Sequence, residues 1–307
     1  MLLQWDLNNK NLHKKYIDLC DDEFEIYFDN VVQNILAFNK VKILTISGPS
    51  SSGKTTVALK LISELSKYGV TAKIISMDDF YKNREDTPIK QNGEIDFETI
   101  DALDTELMIN CLNEAVFFNK TKLPKFNFKT GIREGYKDFE LYDNEIIIIE
   151  GIHGLNPKII DNLPVENIKS IYTTIGEKVF LPGDIIFSKR DIRFLRRLIR
   201  DNKYRGAIPE FTFMLWETVR EGEDLYIFPY ENNAHIKINS FYKYELNVIK
   251  EQALKLLAEI KQESEYYEKA LNMINKLSYV ISIDGDFVPS RSLIREFIGG
   301  NSIYYER

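Results

Sequence analysis

The chain has 307 residues, 44% of them hydrophobic, enough for one large α/β domain or two average domains with packed cores. Its formal charge of −7 and pI near 5.3 exclude an extended nucleic-acid surface, because a phosphate backbone is held by concentrated Lys and Arg. Two cysteines, Cys20 and Cys111, cannot build a disulfide framework, and unbroken apolar runs such as "IIII" (Ile146 to Ile149) fall far short of the roughly 20 residues that cross a bilayer.

A soluble, cytoplasmic protein with neither membrane nor nucleic-acid partners is expected, and "MLLQWDLNNK" lacks the basic flank and apolar core of a secretory signal. Next, "YIDLCDDEFEIYFDNVVQNILAF" repeats apolar residues at helical spacing and predicts a leading helix packed on the domain behind it. "VKILTIS" reads as a buried strand and "TTVALKLISELSKYG" as a helix, with Val57, Ala58, Leu61, Ile62 and Leu65 in one stripe and Gly69 as its stop. "TAKIIS" is a second strand, "LDTELMINCLNEAV" a helix, and "EIIIIEG" a third strand, apolar throughout as strands covered on both faces are. "KSIYTTI" and "AHIKIN" complete five strands, and their alternation with helices predicts an α/β fold with a doubly wound parallel sheet. "DIRFLRRLIRDNKYRG" is a basic helix; "YELNVIKEQALKLLAEI" and "YYEKALNMINKL" are two more. The tail "YVISIDGDFVPSRSLIREFIGG" predicts a short strand or hairpin and then a helix ended by Gly299 and Gly300.

Between the first strand and helix lies "GPSSSGKTT", in which Gly48, Gly53, Lys54 and Thr55 match the phosphate-binding loop in full and in the right context. Its glycines permit a path that turns successive N–H groups onto phosphate oxygens, so Ser50, Ser51, Ser52 and Thr56 join the binding set. Lys54 would reach the β- and γ-phosphates, and Thr55 would offer its hydroxyl to Mg²⁺. A GTPase-type Asn-Lys-x-Asp element is missing, and "KRD" at Lys189 to Asp191 lacks the pattern of a protein-kinase catalytic loop.

Strand ends in a parallel sheet line the ligand crevice, which puts Asp78, Asp79 and Tyr81 of "SMDDFY" beside the loop. A carboxylate there can take the proton of an attacking hydroxyl or support magnesium; capping a turn is the plain alternative. Glu150, ending the third strand, is a second magnesium-side acid or a solvent-facing strand end. Arg193, Arg196, Arg197 and Arg200 share one helical face, with Arg205 following, as a basic lid over transferring phosphate would require; solvation or pairing with acids would also satisfy them. Phe126 and Phe128, with Arg133 nearby, could flank a planar base or serve a core. His153 has no nucleophile partner and reads as structural.

In this order, "GPSSSGKTT", "SMDDFY", "GEIDFETIDALD", "KFNFKTGIR", "IIIIEGIHGLN" and "RFLRRLIRDNKYRG" resemble the uridine kinase and phosphoribulokinase family of P-loop kinases, from about Lys42 to Asn239. "WETVREGEDLYIFPY" and "SLIREFIGG" resemble bacterial uridine-kinase-like proteins in which the kinase follows threonyl-tRNA-synthetase-like domains, here expected as a kinase-only version. The resemblance implies a helical extension over 1–40, a P-loop kinase domain over 41–277 with a lid at about 180–210, and a tail over 278–307 packed on it. It implies ATP or GTP as donor, Mg²⁺ at Thr55, Asp78 and Glu150, and Asp78 as general base toward a nucleoside 5′-hydroxyl. Arg197, Arg200 and Arg205 align with lid arginines that contact phosphates or acceptor, and Phe126 and Phe128 with aromatics flanking the pyrimidine. Glu98 stands where an Asp grips ribose hydroxyls. Gly131 replaces a base-reading His, and Ala207 a further lid Arg, so the reaction class is carried more firmly than the acceptor. A kinase for another small hydroxyl compound such as a sugar phosphate, and a nucleotide-binding regulator without catalysis, are the rival readings; a homo-oligomer is left open.

Overall fold

The computed structural model describes residues 8–38, 41–128, 130–142, 144–163 and 167–300. In chain order they form α1 (His13–Ala37), β1 (Ile43–Ser47), α2 (Lys54–Ser66), β2 (Thr71–Ser76), α3 (Thr105–Phe118), β3 (Lys120–Asn127), β4 (Ile132–Glu140) and β5 (Glu145–Glu150). After these come α4 (Pro157–Ile160), β6 (Ile168–Thr174), β7 (Val179–Leu181), β8 (Ile185–Phe187), α5 (Lys189–Arg205), α6 (Pro209–Gly222), β9 (Ile236–Asn239), α7 (Glu245–Leu257), α8 (Tyr267–Ser278) and α9 (Arg295–Ile298).

The five predicted strands make one sheet in the order β2-β5-β1-β6-β9, every neighbouring pair parallel. Alternate residues face opposite ways. Leu44, Ile46, Ile146 and Ile148 meet the side covered by α1, α2, α5, α7 and α8, while Ile43, Ile147 and Ile149 meet the side covered by α3 and the β3–β4 hairpin. All six residues of β5 are buried, which is why it reads as a continuous apolar run. The leading helix α1 lays Ile17, Phe24, Phe28 and Val32 on the first side, with Phe24 stacked on Tyr242 at 4.3 Å.

One expectation changes. Among the described residues the stretch after α8 forms no strand, and its helix α9 is one turn long. The stretch "YVISI" is held by α7 instead: Asn247 Nδ2 donates to Ile281 O, Lys250 Nζ to Val280 O, and Ile283 N to Asn247 O. The basic helix α5 is buried from Ile192 to Ile199. Its ends are well made: Ser188 and Asp191 form a capping box, and Gly206 closes it in the left-handed conformation.

Candidate active site

The loop after β1 leaves the sheet at Gly48, where a Cβ would stand 2.1 Å from the Thr173 carbonyl oxygen of β6, so only glycine lets the two backbones pass. Gly53, at φ +84°, turns the chain into α2, whose first N–H groups have no intrahelical partners and aim their positive end into the loop. Lys54 Nζ donates to the carbonyls of Gly48 and Pro49 at 2.9 and 3.1 Å. Burial lowers its pKa, opposed by the charges of Glu150, Asp78 and Glu223, which places those three acids around one ammonium.

Glu150 joins three elements. From the end of β5 its carboxylate accepts Ser76 Oγ at 2.8 Å from β2 and Thr55 Oγ1 at 3.3 Å from α2. Asp78 lies in the short turn after β2, half-buried, and its charge is felt by Lys54, Tyr81 and Arg205. The neighbouring Asp79 faces outward to Lys137 at 2.8 Å.

The arginines of α5 divide. Arg193 and Arg196, each 2% exposed at the side chain, are structural: Arg193 grips Glu223 with both terminal nitrogens and donates to Ser50 O, and Arg196 grips Glu245 and donates to Ser51 O and Ser240 O. Glu223, at the π-helical turn after α6, also accepts the Ser50 N–H at 2.9 Å, while Ser240 Oγ donates to Ser52 O at 2.6 Å. The loop is thus braced from behind by side chains of α5, α6's extension and the β9 end. By contrast Arg197, Arg200 and Arg205 gather on one buried carboxylate, Asp201, at 3.2, 2.8 and 3.2 Å, and Arg197 also donates to Ser50 Oγ.

On the acceptor side, Glu98 lies half-buried against Gly222, where a Cβ would be 2.4 Å from its own Cβ. Burial raises its carboxyl to about 7, against the pull of Arg197. Tyr81 donates to Phe97 O, and its ring meets Phe97, Phe126 and Phe128 at 6.2, 5.7 and 5.9 Å. Phe128 is 58% exposed, so this aromatic cluster opens outward. Arg133 pairs with Asp104 at 3.2 Å and donates to Tyr81 O, tying the β3–β4 hairpin to the turn that carries Asp78. Gly131 is at φ +73°, and a Cβ there would be 2.8 Å from Arg84 Nε: an exposed guanidinium fills the space beside it. His153 is buried, and burial pushes it down to about 4 beside the backbone of Glu98 and Thr99, so it supplies no titrating group near neutrality.

The sequence model of the phosphoribulokinase / uridine kinase family matches residues 43–246. The chain belongs to that family. Membership places it among phosphotransferases that act on a hydroxyl group. A uridine-cytidine kinase A of Dictyostelium discoideum is 34% identical over 197 residues, 63% of this chain but only 35% of that longer relative. A uridine kinase of Ureaplasma parvum is 26% identical over 197 residues, covering 64% of this chain and 86% of the relative; one of Lactobacillus helveticus is 30% identical over 167 residues, covering 54% and 71%. Among solved structures, a possible uridine kinase from Bacillus stearothermophilus overlaps with TM-score 0.42 at 23% identity, covering 49% of this chain and 80% of that one.

Sequence reasoning missed Glu223, Ser240, Glu245, Asp201, Phe97 and Ser76 as site neighbours. Only Ser76 carries a local signal, standing at the end of a strand immediately before the candidate acids Asp78 and Asp79. Among the described residues no three His, Cys, Asp or Glu side chains cluster as a metal-binding group, and no helix is long and apolar enough to cross a membrane.

Proposed function

We propose that this family member transfers the γ-phosphate of ATP to the 5′-hydroxyl of a pyrimidine nucleoside. The observation that carries the reading is the convergence at the strand ends: Glu150 of β5 accepts from Ser76 of β2 and Thr55 of the loop, Lys54 lies in the field of Asp78, Glu150 and Glu223, and Glu98 in that of Arg197 and Lys54. Asp78 would accept the hydroxyl proton as the oxygen attacks, and Glu98 would hold the neighbouring sugar hydroxyls so that attack is in line. Lys54, Arg197, Arg200 and Arg205 would meet charge developing on the phosphoryl oxygens. Thr55, Glu150 and Asp78 supply the hard oxygen donors that suit magnesium, which when bound neutralises the β- and γ-phosphates. Tyr81, Phe126 and Phe128 would flank the base.

One observation favours a second acceptor. Arg84 is exposed beside Gly131 at the turn of the hairpin that carries Phe126, and a cation there suits an acceptor bearing an acidic group such as a sugar phosphate. The deciding experiment offers nucleosides and sugar phosphates with ATP or GTP and measures ADP or GDP release. Uridine or cytidine stimulating release is the expected result; stimulation by a sugar phosphate alone replaces the acceptor, and tight nucleotide binding without stimulation by any acceptor leaves a regulator.

A further inference from the structure

The donor loop receives a side chain from beyond the family-matched stretch. Glu296, on α9, directs its carboxylate at the Thr56 hydroxyl, which donates to it, and its Oε2 lies 3.9 Å from where a Cβ on Gly53 would be. Thr56 belongs to the first turn of α2, where free N–H groups and the helix dipole make the seat for a nucleotide's phosphates. Thr56 has no exposed surface and Glu296 only 8%. The Glu296 carboxylate therefore lies, beside Ser240, at the Gly53–Thr56 end of the loop, the end to which a donor would bring its inner phosphates.

The segment is fastened to α5 as well. Phe297 lies under the Arg196 guanidinium at 4.9 Å, and Lys203 Nζ donates to Ile298 O. Arg295 stiffens the turn by donating to the carbonyls of Gly285, Val288 and Gly299. A carboxylate and a phosphate sharing one hydroxyl and one helix end repel each other in a place water screens poorly. They cannot hold it together.

We propose that the segment carrying Glu296 is a latch on the donor site: the carboxylate holds Thr56 until the α-phosphate of a nucleotide takes its place, so the C-terminal segment sets donor affinity. The proposal rests on the reading of this loop as the donor site. Because the same segment holds Arg196 and Lys203, its release is felt directly at the arginine helix.

The test is calorimetric binding of ADP, and of ATP with magnesium, to the full chain without acceptor. Glu296→Gln keeps shape and hydrogen bonding but removes the charge, and is expected to tighten binding about tenfold, equivalent to about 1.4 kcal/mol. Equal or weaker binding overturns the latch. In the unaltered chain, amide hydrogen exchange across residues 285–300 is expected to quicken when ADP saturates the site; unchanged or slower exchange overturns the latch whether or not the variant folds. Failure of both proteins to bind either nucleotide overturns the donor reading and the latch with it, whereas equal binding by both overturns the latch alone.

Discussion

The phosphate-loop end and the aromatic end of the candidate site, proposed here as donor and acceptor ends, are built in opposite ways. Around the loop, buried pairs brace the backbone: Arg193 with Glu223, Arg196 with Glu245, Ser240 with Ser52. At the other end, Phe128 and Arg84 are exposed, and Arg133 ties the hairpin carrying the aromatics to Tyr81 and Asp104. Buried charge pairs tolerate little substitution, because removing one partner strands the other. Exposed aromatics and cations can be exchanged at small cost to the fold. A site of this build can keep its chemistry and change what it phosphorylates.

Four experiments probe that contrast between a rigid donor end and an adaptable acceptor end. The largest effect is expected at the junction of the two, where Asp78→Asn should lower turnover by roughly two to four decades with nucleotide affinity nearly intact. Unchanged turnover would remove Asp78 from proton transfer. Next, Glu223→Ala leaves Arg193 buried without its carboxylate and should cost about 3–5 kcal/mol by denaturant unfolding. A loss below about 1 kcal/mol would mean the bracing is not what keeps the donor end rigid.

The third is a pH profile. Glu98 is held protonated to about pH 7, whereas the unperturbed carboxyl releases its proton at 4.5. The folded state thus binds the extra proton between those values, and this group lowers stability as pH climbs from 4.5 to 7. In the proposed role of accepting from sugar hydroxyls it would work best ionised, so kcat/KM for the acceptor should rise through about pH 7 and then level. Glu98→Gln should abolish that inflection; an unaltered profile assigns it to another group. The smallest effect is expected from Phe128→Ala, which should move stability by less than about 0.5 kcal/mol while raising acceptor KM about fivefold.

The sheet and the loop are legible in the sequence because their signals are local: β5 carries four isoleucines in a row, and Gly48 to Thr55 are contiguous. The α5 arginines are half legible. Their spacing fixes a shared helical face, but nothing in it says whether that face meets water or Glu223 and Glu245, which come 30 and 49 residues after their partners. Glu296 joins Thr56 across 240 residues, a pairing no window of sequence contains. The tail misleads for another reason: "YVISI" has strand composition, and only the side chains of α7 decide that it is held without a strand neighbour.

Three guanidiniums share the single buried carboxylate of Asp201, Arg197 and Arg200 mostly buried and Arg205 60% exposed, so positive charge is gathered in one place before any ligand arrives. The resting protein should behave as a trap for small oxyanions: sulfate ought to raise its melting temperature where chloride at matched ionic strength does not. Assay buffers will then act on this protein as competitors, and activities measured in phosphate will understate it.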